Sequence, residues 1–276
     1  MKLKTEYYQI RSSKIPDVFH GYRIVFLTDL HNCQIGNENH VLYHRICALK
    51  PDLILVGGDM VVGRRDFKDF SMLRHFFHCL GKHFPVIYSY GNHERRLSLY
   101  AETAHTSFPD YISMLKKSGI DVLNNESIMI EKEGRRICVS GLNMDLDYYG
   151  KFYKKSARMP KDYVKSVLGE PKGEYRILMA HHPKHFERYA QWGADLVLSG
   201  HVHGGIMRLP LLGGVISPTL LLFPKYDGGL FKKGSSAMIL SRGLGTHTLP
   251  IRIFNPGELI LFTISPKRNL AKNKEN

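Results

Sequence analysis

Long apolar runs are missing from this 276-residue chain, and no stretch approaches the roughly 18 unbroken apolar residues that a membrane-spanning helix requires. The opening MKLKTEYYQIRSSKIPDVF carries charge but no apolar core followed by a cleavage site, so no secretory signal is expected. Cysteine is scarce. Its four copies, Cys33, Cys47, Cys79 and Cys138, show no paired spacing, which suits reduced packing thiols in a cytoplasm rather than a disulfide framework. Acidic charge is also short, with 25 Asp and Glu against 39 Lys and Arg, a net charge of +14. That excess is compatible with nucleic acid, anionic lipid or a phosphorylated substrate, and does not choose among them. With no repeat, low-complexity tract or linker, residues 1–266 are expected to form a single domain and 267–276 a basic, disordered tail.

What the chain does have is a series of short apolar runs, each stopped by a polar or glycine-rich turn. They are YRIVFLTDLH, PDLILVGGDM, FPVIYSYGNHE, EYRILMAHHP and ADLVLSGHVHGG. Four to six residues rich in Val, Ile, Leu and Tyr fit buried strands better than helices. Between the first three runs, residues 37–49 and 67–80 place apolar side chains three and four apart, as helices do. The first third therefore reads strand, helix, strand, helix, strand, a βαβ pattern with right-handed crossovers. Farther on, ESIMIEKEGRRICVSGL predicts a hairpin around Glu133 and Gly134, and GLFKKGSSAMILSRGLG predicts further short strands. LPIRIFNPGELILFTI predicts a last strand paired through the turn Asn255-Pro256-Gly257. The apolar, Gly- and Pro-rich stretch RLPLLGGVISPTLLLFPKYDGG predicts a long loop. Either it covers a satellite core of its own or, over 209–223, it faces a greasy substrate or a lipid surface.

Each of the five runs ends, on its C-terminal side, in residues that can bind a cation: Asp29 with His31, Asp59, Asn92 with His93, His181 with His182, and His201 with His203. In an α/β sheet the ligand site lies beyond the carboxyl ends of the strands, so separate runs can deliver these side chains to one crevice. Singly, each has an ordinary explanation: GGDM as a turn or helix cap, a lone histidine as a packing residue. Their repetition at strand ends is what points to metal. Aspartate, asparagine and histidine without cysteine suit Mn²⁺, Fe²⁺ or Zn²⁺ better than Ca²⁺ or a closed thiolate site. Seven donors are too many for one tetrahedral ion, whereas two ions about 3.5 to 4 Å apart, sharing a carboxylate, would use them all.

These residues resemble the calcineurin-like metallophosphoesterase superfamily, whose pattern is D-x-H, G-D, G-N-H-[DE], H, then G-H-x-H. Here it reads DLH at 29–31, GD at 58–59, GNHE at 91–94, H at 181 and GHVH at 200–203, in order and across about 175 residues. GHVHGG and SRGLGTHTLPIRIFNPGEL further resemble a bacterial subgroup of YaeI/YkuE type, small phosphoesterases that are soluble or membrane-associated. The resemblance implies an α/β fold, a two-sheet β-sandwich flanked by helices, with a dinuclear metal site at strand C-terminal ends. It implies Asp29, His31 and His203 on the first metal, Asn92, His181 and His201 on the second, and Asp59 bridging. His182 is the alternative to its neighbour His181, which holds the family position. His93 is implied to be no ligand, but an acid or cation beside the scissile phosphate. Ile206 and Val202 replace the glutamine and threonine of many relatives, and the first change removes a hydrogen-bonding group near the pocket.

The implied activity is hydrolysis of a phosphomonoester, phosphodiester or pyrophosphate by a hydroxide bridging two divalent ions, Mn²⁺ first, with Fe²⁺ and Zn²⁺ as alternatives. A lipid-linked substrate such as UDP-2,3-diacylglucosamine falls within it. Arg242 in SRGLG and Arg208 in MRLP are candidate phosphate-binding cations, with surface arginine as the ordinary reading of each. Rival readings are a nuclease or cyclic-nucleotide phosphodiesterase, and a noncatalytic scaffold that keeps metal for stability. The expected partner is a phosphorylated small-molecule or lipid-linked substrate, with nucleic acid less favoured and no obligate protein partner. The expected location is the cytoplasm, with peripheral membrane contact as a further option.

Overall fold

All five apolar runs form strands in the computed structural model, which describes residues 2–103, 106–150, 156–205, 207–209, 213–216, 225–246 and 252–267. The runs beginning at Tyr22, Leu53 and Val86 become β2 (Tyr22–Leu27), β3 (Leu53–Val56) and β4 (Val86–Ser89), parallel neighbours in one sheet. Those beginning at Tyr175 and Leu196 become β8 (Tyr175–Ala180) and β9 (Leu196–Ser199), parallel neighbours in a second sheet.

The first sheet has the order β1-β14-β2-β3-β4-β5, with β1 at Leu3–Ser12, β5 at Ile120–Leu123 and β14 at Gly257–Pro266. The second has the order β12-β13-β9-β8-β7-β6, with β6 at Glu126–Lys132, β7 at Arg135–Leu142, β12 at Gly229–Lys233 and β13 at Ser236–Leu240. A short antiparallel ribbon pairs β10 (Met207–Leu209) with β11 (Gly213–Ile216). The β6–β7 hairpin turns where the sequence predicts, with Glu133 and Gly134 at φ 50° and 72°, as a two-residue turn with a right-handed strand twist demands.

The runs are continuously apolar because both faces of each sheet are covered. Ile24, Phe26, Leu53, Leu55 and Ile87 face Val139, Ile177, Met179, Leu198 and Ile239 across the sandwich. The alternate residues Val25, Leu27, Ile54 and Val56 face outward onto Leu42 and Ile46 of α1 (His40–Ala48) and Phe76, Phe77 and Leu80 of α2 (Ser71–His83). Tyr111 and Leu115 of α4 (Phe108–Lys117) join that layer. Beyond the second sheet, Leu178, Val197 and Met238 pack on Val164 of α5 (Tyr163–Leu168) and on Phe186 and Tyr189 of α6 (Phe186–Trp192). Full burial of each such side chain contributes about 1.5–3 kcal/mol.

Three expectations need correction. Both early helices start later than their spacing suggests: Glu38 and Asn39 take φ 48° and 63° ahead of α1, and Phe67 and Phe70 pack into the core before α2 begins. The last strand does not fold back through Asn255-Pro256-Gly257. Instead β14 inserts between β1, parallel, and β2, antiparallel, where its backbone groups are satisfied on both sides. The predicted 209–223 loop and the tail fall largely outside the described residues. Among those described, no helix is long and apolar enough to cross a membrane.

Candidate metal centre

Because β2, β3 and β4 run parallel, their carboxyl ends lie together, and each opens into a loop carrying polar side chains. Asp29 and His31 follow β2, Asp59 follows β3, and Asn92 and His93 follow β4 at the first turn of α3 (Asn92–Ala101). His181 follows β8, and His201 and His203 follow β9. The two sheets meet at this edge. Donor atoms of Asp29, His31 and His203 lie within 4.8 Å of one another, as do those of His31, Asp59 and His93 and those of Asp59, His181 and His201. Asp59 Oδ2 stands 3.0 Å from His181 Nε2 and 3.9 Å from both His31 Nε2 and His93 Nε2. Asp29 Oδ1 stands 3.5 Å from His203 Nε2 and from His181 Nε2, and 3.7 Å from His31 Nε2.

Backbone strain is concentrated here. Asp29, His31, Asp59, His201 and His203 have φ of 56°, 51°, 53°, 73° and 52°. For residues with a Cβ this left-handed region costs on the order of 1 kcal/mol or more each, and it persists only where surrounding bonds impose it. They do. Asp29 N donates to Gly58 O at 3.0 Å, His31 N to Asp59 O at 3.1 Å and Gly245 N to Asp29 O at 2.7 Å. Across the sheets, His201 N donates to the Asp29 carboxylate at 3.1 and 3.2 Å. The glycines of GNHE and GHVH are required by close approach: a Cβ on Gly91 or Gly200 would sit 2.2 Å from an oxygen of Asp59 or Asp29.

Glu94, buried, fixes the Asp59 loop. It accepts from Asp59 N at 2.7 Å, Met60 N at 3.0 Å, Gly91 N at 3.0 Å and Tyr88 Oη at 2.6 Å, and Tyr111 Oη donates in turn to Tyr88 Oη at 3.2 Å. His93 N donates to Asp59 Oδ1 at 2.8 Å.

Protonation follows from these contacts. Burial opposes charge on His181, yet Asp59 and Asp29 together raise its imidazole to about 10. Burial likewise works against ionised Asp29 and Asp59, but His181, with His203 for Asp29 and His93 for Asp59, holds both carboxyls well below their ordinary range. Burial pushes His201 down to about 4 and His203 to about 3. His181 Nδ1 lies 2.8 Å from Gly57 O, to which it donates, leaving Nε2 to face the carboxylates. His93 is set the other way. Gly63 N donates to its Nδ1 at 2.6 Å, which leaves Nε2 to face Asp59 Oδ2 at 3.9 Å.

The family implied by the motifs uses divalent ions, and these residues fit them. Among the described residues Asn92 Oδ1 is buried with no hydrogen-bond partner, an amide oxygen left as a metal ligand would be. His31 Nε2 and His203 Nε2 lie 3.1 Å apart, the separation of two nitrogens each about 2.1 Å from one ion.

Six of the seven expected ligands, Asp29, His31, Asp59, His181, His201 and His203, therefore converge with His93, and Asn92 opens α3 next to His93. His182 does not join them: it stacks on Tyr149 with centroids 5.6 Å apart and planes at 12°, behind His201. Arg242 needs correction as a phosphate-binding cation. Its Nε donates to buried Glu258 and its Nη2 to Glu6 at 2.8 Å, so its fork is committed to carboxylates of β14 and β1. The side chain of Arg208 lies outside the described residues. Tyr149 and Arg252 carry no expected role, and Glu94 and Asn255, expected as a motif residue and a turn residue, also serve the site. Arg252 donates to the carbonyls of Arg242, Gly243 and Pro256 and reaches within 3.4 Å of His203 Nδ1. Asn255 Nδ2 donates to His203 O at 2.7 Å. The tyrosine had a readable signal, since β7 is a sixth apolar run whose carboxyl end leads to it.

Comparison with known proteins agrees with this geometry. Residues 22–205 match the model of the calcineurin-like phosphoesterase family. The uncharacterized metallophosphoesterase YkuE of Bacillus subtilis is 27% identical over 95% of this chain and 85% of its own. An uncharacterized metallophosphoesterase of Aquifex aeolicus is 30% identical over 97% of this chain and 94% of its own. The phosphodiesterase YaeI of Escherichia coli is 30% identical over 82% of this chain and 76% of its own. Strand ends that gather aspartates, an asparagine and histidines, in a chain matched over two thirds of its length, make this protein a member of the calcineurin-like phosphoesterase family, a hydrolase of phosphoric ester bonds.

Proposed function

We propose that the protein hydrolyses a phosphoester carrying an apolar group, at two divalent ions. Asp29, His31 and His203 hold one ion, Asn92, His181 and His201 the other, and Asp59 bridges them. The carrying observation is that donors from both sheets surround Asp59, which stands within 4 Å of histidines on either side. Mn²⁺ comes first, since mixed oxygen and imidazole donors without thiolate suit it; Fe²⁺ and Zn²⁺ share that chemistry. When bound, the ions acidify water and neutralise phosphoryl oxygens.

The chain's own residues supply the rest. Asp59 and Asp29 hold the negative charge that binds the ions, and Gly57 and Asp59 orient His181. His93 turns an Nε2–H toward the site, placed to donate to the oxygen on which charge builds as the P–O bond breaks. An apolar substituent is supported by Phe254 and Pro256, which give an apolar patch to a cavity of about 800 Å³ otherwise lined by Cys33 and the polar side chains of Lys2, Gln34, Thr246, Arg252 and Asn255. Arg252 and Asn255 bind both its wall and the His203 loop, and Phe254, 76% exposed, stands at its rim.

The test is His93→Ala in protein loaded with Mn²⁺ and assayed on phosphate mono- and diesters with short and long apolar groups. Metal content should match the wild type while turnover falls roughly 10²- to 10⁴-fold. Wild-type protein inactive on every ester with Mn²⁺, Fe²⁺ and Zn²⁺ would overturn the reading, and so would undiminished turnover in the variant.

A further inference from the structure

We propose that the Tyr149 hydroxyl hydrogen-bonds directly to a phosphoryl oxygen of the substrate, making it a substrate-contacting residue on the His201 side of the centre; this rests on the phosphoesterase reading above. Tyr149 follows a short helical turn, Leu146–Tyr148, on the segment that leaves the carboxyl end of β7. That strand neighbours β8, whose end carries His181. Three imidazoles fix the ring. It lies edge-on to His201 at 5.2 Å, stacks on His182 at 5.6 Å and stands 6.3 Å from His181.

The hydroxyl at the end of this ring is buried and, among the described residues, has no hydrogen-bond partner. Other buried tyrosine hydroxyls nearby are satisfied: Tyr88 by Glu94, Tyr111 by Tyr88, and Tyr189 by the carbonyl of His182 at 2.9 Å. Buried polar groups in folded proteins are almost always paired, because an unpaired one has lost water and gained nothing. One that stays unpaired against two expected metal ligands, in a ring held from three sides, is placed to donate to something that arrives. A phenol O–H donating to an anionic oxygen makes a short, charge-assisted bond, and the charged group a phosphoesterase admits here is a phosphoryl oxygen. His93 packs instead against His31, with centroids 4.9 Å apart, so the two donors flank the centre from different halves.

Tyr149→Phe is an unusually clean test, since no hydrogen bond among the described residues is lost with the oxygen. Titration calorimetry of inorganic phosphate into Mn²⁺-loaded wild-type and variant protein is the first readout, with bound metal and thermal midpoint measured alongside. The variant should keep its metal and its midpoint, bind phosphate roughly 10- to 100-fold more weakly, and lose a similar factor in kcat/KM on an aryl phosphodiester. Unchanged phosphate affinity and kcat/KM would overturn the assignment. Loss of metal would also overturn it, by making the phenol a ligand. If wild-type protein neither binds phosphate nor cleaves any ester, the phosphoesterase reading fails and takes this inference with it; if wild type works and the variant equals it, only the inference fails.

Discussion

The two sheets contribute unlike halves to one centre. The first supplies both carboxylates, Asp29 and Asp59, with Asn92 and the imidazoles of His31 and His93, whereas from the second come only the imidazoles of His181, His201 and His203. The halves also differ in how they are held. Loops after β2 and β3 are bonded to each other, as in Asp29 N to Gly58 O and His31 N to Asp59 O, and Glu94 ties in the loop after β4. The imidazole half leans on its partner: His201 N binds the Asp29 carboxylate, and His203 O takes a bond from Asn255, just ahead of β14 in the first sheet. One half is an anionic, internally cross-linked cradle. The other is a set of imidazoles docked onto it, two of them kept neutral by burial.

The harshest way to break this comparison is Asp59→Asn. The substitution keeps size and removes the charge that faces both halves, so neither group of donors retains its shared anion. Ligand loss should exceed the 10- to 100-fold affinity cost typical of disturbing a supporting residue, and turnover should drop to background. Metal analysis after gel filtration decides it. A variant that keeps both metal and turnover would mean that the cradle does not depend on its central carboxylate.

A sharper distinction lies within the imidazole half. His181 faces Asp59 and Asp29 and in metal-free protein holds its proton up to about 10, while His201 and His203 are already neutral above about 4 and 3. The raised value means that the proton is bound throughout neutral pH, and a metal must displace it. Affinity should therefore rise about tenfold per pH unit between pH 6 and 9, with about one proton released. Calorimetry in buffers of different ionisation enthalpy reads this release directly. A flat pH profile would show that all three imidazoles start alike.

This asymmetry also explains what could be read beforehand. Strands buried on both faces leave short apolar runs, and a ligand site at their carboxyl ends leaves Asp, Asn and His where each run stops, so both were visible in the local pattern. The partners of β14 were not. One of its two partners is β1, whose residues 3–12 are mostly half-buried or exposed and pair with a segment some 250 residues away, Leu3 with Gly257. Local spacing carries no record of such pairing. The same blindness covers Arg242, whose carboxylate partners Glu6 and Glu258 lie 236 and 16 residues distant. Tyr149 is different, because its strand obeys the rule applied to the other five, and only the absence of a metal-binding residue type at its end kept it out of view.

Arg242 offers the smallest effect on chemistry and the clearest effect on the joint between the halves. It follows β13 in the second sheet and reaches Glu258 and Glu6 in the first. Burial raises the Glu258 carboxyl, and Arg242 is what opposes that rise. Arg242→Ala would leave Glu258, 1% exposed, without its cation, and stranding one member of a buried pair costs about 3 kcal/mol or more. Urea denaturation should show that loss, with KM for an aryl phosphodiester within about twofold of wild type, since the guanidinium is turned toward the sheet seam and not the phosphate. A raised KM with unchanged stability would reverse the assignment, returning Arg242 to the substrate and leaving the seam to be held by the backbone alone.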